Sequence, residues 1–270
     1  MKKTRDLFFE LKKQNNPYLS DQVIKSLLCY VGDFSFDDYV FDLEMELDEK
    51  KLNKLVERIK KGEPLQYVTN EAYFLSNKFY VDSNVLIPRQ ETEQLVIETI
   101  KRIDVENPVI FDIGTGSGCI IVSIAKSLKS RCFACDIDKK CLKIASQNAK
   151  DNQVDVTFLK SDILKSVPTD LKCDVIISNP PYILDESTVD PSTLKYEPHL
   201  ALFAKPQTLF YDRIMKEAHS HLNNHYLIAF EIEENLEADL TKIANSYFPG
   251  AKLEFIKDIY GKTRFMFITK

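Results

Sequence analysis

Beyond residue 107, short apolar runs alternate along the chain with segments of helical periodicity. The runs predicted as strands cover residues 108–113, 131–136, 154–159, 173–178, 225–232, 252–257 and 263–269. Strands separated by helices indicate a largely parallel sheet, because a parallel connection needs a crossover about as long as a helix. The last two runs are separated by only five residues, which predicts a terminal antiparallel hairpin. We therefore expect an α/β fold with a Rossmann-like, doubly wound, seven-stranded sheet.

The N-terminal part of the chain carries helical patterns and few strand signals. Leu52, Leu55, Val56 and Ile59 recur at the spacing of a core-facing helical stripe, and Gly62 is expected to cap that helix at its C-terminus. Shorter helices are predicted before it, at residues 3–13, 20–30 and 36–41. This part is therefore predicted to be a small helical bundle.

A linker is expected between the bundle and the sheet. Gln66–Val68 and Lys78–Val81 are short β-prone runs on either side of turn residues, which predicts a hairpin. The predicted division is a helical domain at 1–63, a linker hairpin at 64–84 and the α/β domain at 85–270.

Charge and hydropathy narrow the class of partner. A net charge of -5 and a pI near 5.5 argue against a broad phosphate-binding surface, so no direct nucleic-acid partner is expected. No apolar stretch approaches the roughly 18 residues that span a bilayer, and the first residues carry charges where a signal peptide needs its apolar segment. We expect a cytoplasmic protein with no membrane partner. Nothing in the sequence demands more than a monomer.

The cysteines mostly lie within apolar runs, as expected for buried, free thiols. Cys132 and Cys135 form a CxxC pattern inside a predicted strand, where an odd offset sends the two side chains to opposite faces. No metal site is predicted.

A glycine-rich loop follows the first strand of the predicted sheet. It consists of Gly114, Thr115, Gly116, Ser117 and Gly118. Concentrated glycine allows a tight turn and the close approach of a ligand, and the helix predicted from Cys119 would direct its N-terminal N–H groups at that ligand. By itself such a loop is shared by dinucleotide binders, methyltransferases and chance turns.

Asp136 ends the next predicted strand, 20 residues beyond Gly116, where a carboxylate can accept hydrogen bonds from both hydroxyl groups of a ribose. The glycine spacing departs from GxGxxG, which favours a nucleoside with an amino-acid tail over a dinucleotide. S-adenosylmethionine fits that description. After the third strand, Asp162 could accept from an adenine amine and Ile163 could cover the base, although a helix N-cap is an equal reading of Asp162.

Asn179, Pro180, Pro181 and Tyr182 follow the fourth strand. The prolines stiffen the turn and leave its carbonyl oxygens available, Asn179 adds a side-chain acceptor, and Tyr182 adds a flat face. Such a turn can hold a planar NH2 group. An ordinary Asn-Pro or Pro-Pro turn is the alternative.

Together these residues resemble class I S-adenosylmethionine-dependent methyltransferases with an NPPY motif. The chain is more closely similar to the peptide chain release factor glutamine methyltransferases, over nearly its full length. The matching segments are the helical N-terminus and residues 62–67, 86–93, 111–120, 178–183 and 196–198.

The resemblance implies transfer of a methyl group from S-adenosylmethionine to the side-chain amide nitrogen of the glutamine in the GGQ motif of class I release factors, which modulates translation termination. It implies a substrate-docking role for the N-terminal helices and a catalytic role for the turn from Asn179 to Tyr182. Cofactor contacts are implied for the residues from Gly114 to Gly118, Asp136, Ile137, Asp162, Ile163 and Asn179, and a place in the substrate pocket for Arg89, Glu91 and Glu197.

The sequence departs from the family pattern in three places. Gln90 replaces the usual proline before Glu91, residues 203–206 replace a glycine-rich stretch, and Glu231 lacks its customary following glycine. Two other functions stay open: an adenine-N6 DNA methyltransferase, which uses the same turn on a flipped base, and a catalytically silent binding module. The acidic pI argues against the first, and the intact motifs argue against the second.

Overall fold

The computed structural model describes residues 3–41 and 47–270. The α-helices are α1 (Thr4–Lys13), α2 (Asp21–Gly32), α3 (Phe36–Phe41), α4 (Glu49–Ile59), α5 (Leu65–Thr69), α6 (Gln90–Arg102), α7 (Cys119–Ser127), α8 (Lys139–Asp151), α9 (Pro191–Tyr196), α10 (Leu209–Ala218) and α11 (Glu237–Tyr247). The strands are β1 (Glu71–Phe74), β2 (Asn77–Tyr80), β3 (Val109–Ile113), β4 (Arg131–Asp136), β5 (Val156–Lys160), β6 (Cys173–Ser178), β7 (Leu222–Glu231), β8 (Lys252–Lys257) and β9 (Thr263–Thr269).

The chain forms two compact units. One comprises Met1–Glu71 together with Asp190–Tyr196, and the other comprises Ala72–Val189 together with Glu197–Lys270. The first unit therefore includes α9, which lies far along the chain from the other helices of that unit. The domain limits expected from the sequence stay a prediction.

The first unit is helical. The predicted stripe Leu52, Leu55, Val56 and Ile59 on α4 is buried, which confirms the helical periodicity. Asp48 caps the start of this helix, because its carboxylate accepts from two backbone N–H groups of the first turn. This stripe packs with apolar side chains of α1 and α2.

Two local predictions in this region are wrong. Gln66–Val68 lies in the short helix α5, and the hairpin consists of β1 and β2 instead. Arg58 explains the helical conformation, because its guanidinium donates to the carbonyl oxygens of Tyr67 and Val68 at the end of α5, at 3.1 and 3.2 Å. Gly62 is not the C-cap of α4, which is Lys60, but lies in the turn that follows with φ of 86°.

The described part of the second unit contains the expected seven-stranded sheet, in the order β5-β4-β3-β6-β7-β9-β8. The strands from β5 to β7 are parallel, and β9 is antiparallel to both neighbours, which confirms the terminal hairpin. The chain moves outward from β3 to β5 and then returns to the other side of β3 with β6. This reversal places a topological switch point between β3 and β6, where ligands bind in doubly wound sheets.

Alternate residues of each strand enter two separate cores, one on each face of the sheet. Cys135 belongs to the core covered by α10 and α11, and Cys132 belongs to the core covered by α6 and α7. The predicted divergence of the CxxC pair is therefore confirmed. In residues 3–41 and 47–270, we find no helix whose length and apolar content would let it cross a membrane.

Candidate active site

The functional candidates converge at one edge of the sheet. Because β5, β4, β3 and β6 are parallel neighbours about 4.8 Å apart, their carboxyl ends open on the same side. Gly114 follows β3, Asp136 ends β4, Asp162 lies just after β5, and Asn179 follows β6. Residues that lie 17 to 65 positions apart in the sequence thus surround the switch point.

The glycine loop has the backbone geometry that its composition predicts. Gly114, Gly116 and Gly118 have φ values of 73°, 54° and 82°, a region that other residues rarely adopt. A Cβ at Gly114 or Gly116 would meet no protein atom within 4 Å, so the space above the loop is open to a ligand. At Gly118 a Cβ would lie 3.1 Å from that of Ala145, so glycine is needed there for helix packing.

Asp136 holds the glycine loop from the neighbouring strand. One carboxylate oxygen accepts from the Gly116 N–H at 3.0 Å, and the other accepts from the Asp138 N–H at 2.9 Å. Burial raises the pKa of Asp136, while these two backbone donors act against that shift. Ile137, the next residue, is 56% exposed and stands at the same edge as an apolar surface.

Two residues that support the glycine loop were not predicted from the sequence. Asp112 is fully buried at the end of β3 and accepts from the Thr115 hydroxyl at 2.6 Å. Burial raises its pKa to about 7. Asn148 on α8 donates to the Ser117 carbonyl at 2.8 Å and also pairs with the backbone of Tyr80. The sequence does mark Asp112, as an acid inside an apolar strand. It does not mark Asn148, because the contact of Asn148 with the loop depends on how α8 packs.

Asp162 forms ion pairs rather than a helix cap. Its carboxylate lies 2.7 Å from Lys165 Nζ and 2.8 Å from Arg213 Nη2, and these cations lower its pKa. Ser161 supplies the turn acceptor, since its hydroxyl oxygen accepts from the Ser166 N–H. Ile163 is buried with φ of 58°, which is unusual for a β-branched residue.

The end of β6 is joined to β3 and places Asn179 beside the glycine loop. Ser178 donates its hydroxyl to the Ile113 carbonyl at 2.7 Å. In the described ranges 3–41 and 47–270, no donor bonds to the carbonyl oxygen of Pro180 or to the side-chain oxygen of Asn179. Two acceptors from adjacent residues are thus available to the two hydrogens of one NH2 group.

Behind this turn, polar side chains form a buried hydrogen-bond chain. Asn179 Nδ2 donates to Thr92 Oγ1 at 3.1 Å, and Thr92 donates to Glu231 Oε2 at 2.6 Å. Tyr182 donates to Glu231 Oε1 at 3.2 Å. Burial raises the pKa of Tyr182, so its hydroxyl remains a donor. No role was expected for Thr92 or Glu231 from the sequence, although Glu231, like Asp112, is an acid within an apolar strand.

The predicted pocket residues occupy different environments. Glu197 is buried and accepts from Arg89 Nη2 at 2.7 Å and from the Ile87 N–H at 3.0 Å. Glu91 is exposed in the first turn of α6, one residue before Thr92. The structure therefore brings together two of the three predicted pocket residues, Arg89 and Glu197. On α6, the residue that contacts Asn179 is Thr92.

The segment that replaces the glycine-rich stretch pairs with the end of the NPPY turn. Ile183, the residue after Tyr182, donates its N–H to Leu202 and accepts from the N–H of Ala204. Gln207 donates its side chain to the Tyr182 carbonyl at 2.9 Å. The altered sequence thus still supports the backbone of the turn.

Chemically, the edge combines an open glycine cradle, a carboxylate suited to vicinal hydroxyls and a paired acceptor for an NH2 group. These features fit S-adenosylmethionine, because a nucleoside with an amino-acid tail needs a ribose acceptor and close backbone approach. Within residues 3–41 and 47–270, no cluster of three or more His, Cys, Asp or Glu side chains is arranged to hold a metal ion.

Comparison with known proteins shows what the chain resembles. Residues 90–194 match the family described as Methyltransferase small domain. The chain is similar to the release factor glutamine methyltransferase of Flavobacterium psychrophilum, with 39% identity over 84% of each chain. Identity is 38% over 80% of each chain for the protein of the same description from Lactococcus lactis, and 33% over 95% of each for that from Bacillus subtilis.

Solved structures share the fold at lower identity. A methyltransferase from Pyrococcus furiosus superposes with a TM-score of 0.54 at 20% identity, covering 72% of this chain and 89% of its own. A ribosomal protein L11 methylase from Lactobacillus delbrueckii gives a TM-score of 0.51, also at 20% identity, covering 67% and 78%. Both support the doubly wound architecture.

Proposed function

The chain belongs to the release factor glutamine methyltransferase family, and from this premise we propose that it transfers a methyl group from S-adenosylmethionine to the side-chain amide nitrogen of a glutamine in a class I peptide chain release factor. The acceptor is the glutamine of the GGQ motif. The observation that carries the proposal is the pair of available acceptors on Asn179 and Pro180, one strand away from the open glycine loop.

The cofactor would be held by the carboxyl ends of β3, β4 and β5. The Gly114–Gly118 loop would approach its amino-acid tail, and Asp136 would accept hydrogen bonds from the ribose hydroxyl groups. Asp162 and Ile163 would lie beside its adenine. Ile137 would add apolar contact. S-adenosylmethionine supplies, when bound, an electrophilic methyl group on a sulfonium sulfur.

The acceptor side depends on hydrogen bonding rather than on a strong base. A carboxamide nitrogen is a poor nucleophile because its lone pair is delocalised into the carbonyl group. Asn179 Oδ1 and the Pro180 carbonyl would accept from its two N–H groups and so stabilise the positive charge that develops on nitrogen. That nitrogen loses a proton readily after transfer. Tyr182 would pack beside the amide and exclude water.

We assign substrate docking to the N-terminal helical domain, predicted at residues 1–63. A glutamine presented on a loop needs a second contact surface for selection. In support, the first unit exposes apolar side chains, including Phe9 at 49% and Val40 at 54%. The proposed complex needs one copy of this chain, one release factor, no nucleic acid and no membrane.

The test is to incubate the protein with methyl-labelled S-adenosylmethionine and either a class I release factor or plasmid DNA. We expect label in the release factor, on the GGQ peptide, and none when that glutamine is replaced by alanine. Label in DNA alone would show an adenine methyltransferase. Calorimetric titration with S-adenosylmethionine distinguishes the enzyme from a catalytically silent binding module. The silent module would not bind the cofactor even at millimolar concentration.

A further inference from the structure

Thr92 and Glu231 link α6 and the end of β7 to the NPPY turn. Thr92 is 3% exposed and Glu231 is 2% exposed, so water does not satisfy either side chain. The hydrogen bond from Thr92 to Glu231 is short, at 2.6 Å, and the one from Asn179 to Thr92 has an ordinary length of 3.1 Å. A buried polar chain of this kind is costly unless every member is paired, and here each member finds its partner.

The direction of these hydrogen bonds follows from the number of protons available. Glu231 accepts from Tyr182 on one oxygen and from Thr92 on the other, as an ionised carboxylate does. Thr92 has a single hydroxyl proton, and this proton is given to Glu231. Toward Asn179 the Thr92 oxygen can therefore only accept, so the NH2 end of the Asn179 carboxamide must face Thr92.

The surroundings set the charge of Glu231. Burial has the largest influence and raises its pKa, and the hydroxyl donors of Thr92 and Tyr182 and the positive charge of Arg264 oppose this rise only in part. Glu91, in the first turn of α6, adds a repulsive negative charge. Tyr211 donates to the backbone carbonyl of Glu231 at 2.9 Å and so fixes its main chain.

We propose that Thr92 and Glu231 are positioning residues that orient the Asn179 carboxamide, so that its oxygen rather than its NH2 group faces the substrate amide. The inference rests on the proposed function, because only an NH2-bearing substrate needs an acceptor at that point. With the carboxamide reversed, two NH2 groups would face each other and the developing positive charge would meet a donor. Thr92 thus acts through Asn179 and touches no reacting atom.

Thr92→Val tests this, because valine keeps the shape of threonine and removes its hydroxyl group. We expect its kcat for methyl transfer to the release factor to fall about 10- to 100-fold, as for a misoriented catalytic group. The affinity for S-adenosylmethionine should stay within a few-fold of wild type. Thr92→Ser keeps the hydroxyl and should restore most of the kcat.

Thr99→Val is the matched control. Thr99 is buried on the same helix, but its hydroxyl donates to the Leu95 carbonyl within that helix. The same chemical change there should leave kcat unchanged. Wild-type kcat in Thr92→Val, or an equal loss in Thr92→Ser, would overturn the proposal.

A second measurement does not depend on catalysis. In 15N-labelled protein, the side-chain NH2 signal of Asn179, identified by its loss in Asn179→Ala, should show slow hydrogen exchange in wild type and Thr99→Val. It should exchange fast in Thr92→Val. Fast exchange in wild type would refute the orientation even if Thr92→Val fails to fold. Failure of wild type to methylate the release factor would instead refute the proposed function and leave this readout decisive.

Discussion

Arg89 and Glu197 form an ion pair across 108 residues of sequence, with Arg89 Nη2 2.7 Å from Glu197 Oε1. Glu197 is almost fully buried, and its second oxygen accepts from the Ile87 N–H. The pair therefore joins the segment that precedes α6 to the segment that follows α9. Both segments were expected to shape the substrate pocket.

Arg89→Gln should destabilise the protein, because it leaves a buried carboxylate with one fewer charged donor. We expect the free energy of unfolding to fall by about 1.5 to 3 kcal/mol, the range for hydrogen bonds to charged groups. Urea denaturation measures the change. Arg131→Gln at an exposed position is the control and should change stability by less than about 0.5 kcal/mol. Equal effects would mean that the pair contributes nothing specific.

Asn179→Ala should reduce kcat by about 100-fold or more, since it removes an acceptor that stabilises developing charge. Its affinity for S-adenosylmethionine should stay within a few-fold, because the side chain mainly serves the nucleophile. Steady-state kinetics and calorimetry separate the two effects. Asn223→Ala, at the opposite end of the sheet, also removes a side-chain hydrogen bond and should retain wild-type kcat. Parallel losses of turnover and cofactor affinity would assign Asn179 to the cofactor instead.

Gly116→Ala should hinder the close approach of the cofactor. It should reduce the free energy of unfolding by about as much as alanine does at another glycine with positive φ. Gly116 and Gly250 both have positive φ, and a Cβ at either meets no protein atom within 4 Å. Each alanine should therefore cost about 1 to 2 kcal/mol of backbone strain. Only Gly116→Ala should weaken S-adenosylmethionine binding, by about tenfold or more, because its Cβ enters the space left for a ligand. Unchanged cofactor affinity in Gly116→Ala would contradict the assignment of the loop.

Asp112 should make stability depend on pH. Its pKa is about 7 in the folded protein, owing to burial and to the charge of Asp136, against about 3.9 in an unfolded chain. As the pH rises, the carboxyl group of Asp112 therefore loses its proton in the unfolded chain before it does so in the folded protein. Its favourable contribution to the free energy of unfolding is fully present below about pH 4 and is lost as the pH rises to about 7.

Asp112→Asn removes this dependence. Relative to wild type, the variant should gain stability progressively between those pH values, by up to about 4 kcal/mol. Urea titrations at several pH values measure the difference. A constant difference between the two proteins across this range would show that Asp112 does not titrate there.

Phe9→Ser and Val40→Ser should raise the KM for an intact release factor by at least about fivefold each, because apolar hot-spot residues contribute over about 1 kcal/mol. The KM for a short peptide that carries the GGQ sequence should not change. Val105→Ser alters an exposed apolar residue at the other end of the sheet from the site and serves as the control. An unchanged KM for the release factor would remove these side chains from the docking surface.

Local sequence patterns predicted the sheet closely. The strand expected at 173–178 has those limits in the structure, and the strand expected at 154–159 is shifted by two residues or fewer. Alternating burial and strand–helix order depend on neighbouring residues, so the sequence carries them directly. The error at Gln66–Val68 arose because three β-prone residues are ambiguous, and Arg58 from another helix stabilises the helical alternative.

The sequence by itself determined the fold class, the position of the glycine loop and the stiffness of the NPPY turn, because each depends on residues adjacent in the chain. Only the tertiary structure decided what supports these motifs. Asn179 and Thr92 are 87 residues apart, and Thr92 and Glu231 are 139 residues apart. Hydrogen bonds over such separations depend on how α6 packs against β7, and no local pattern encodes which buried donor meets which acceptor.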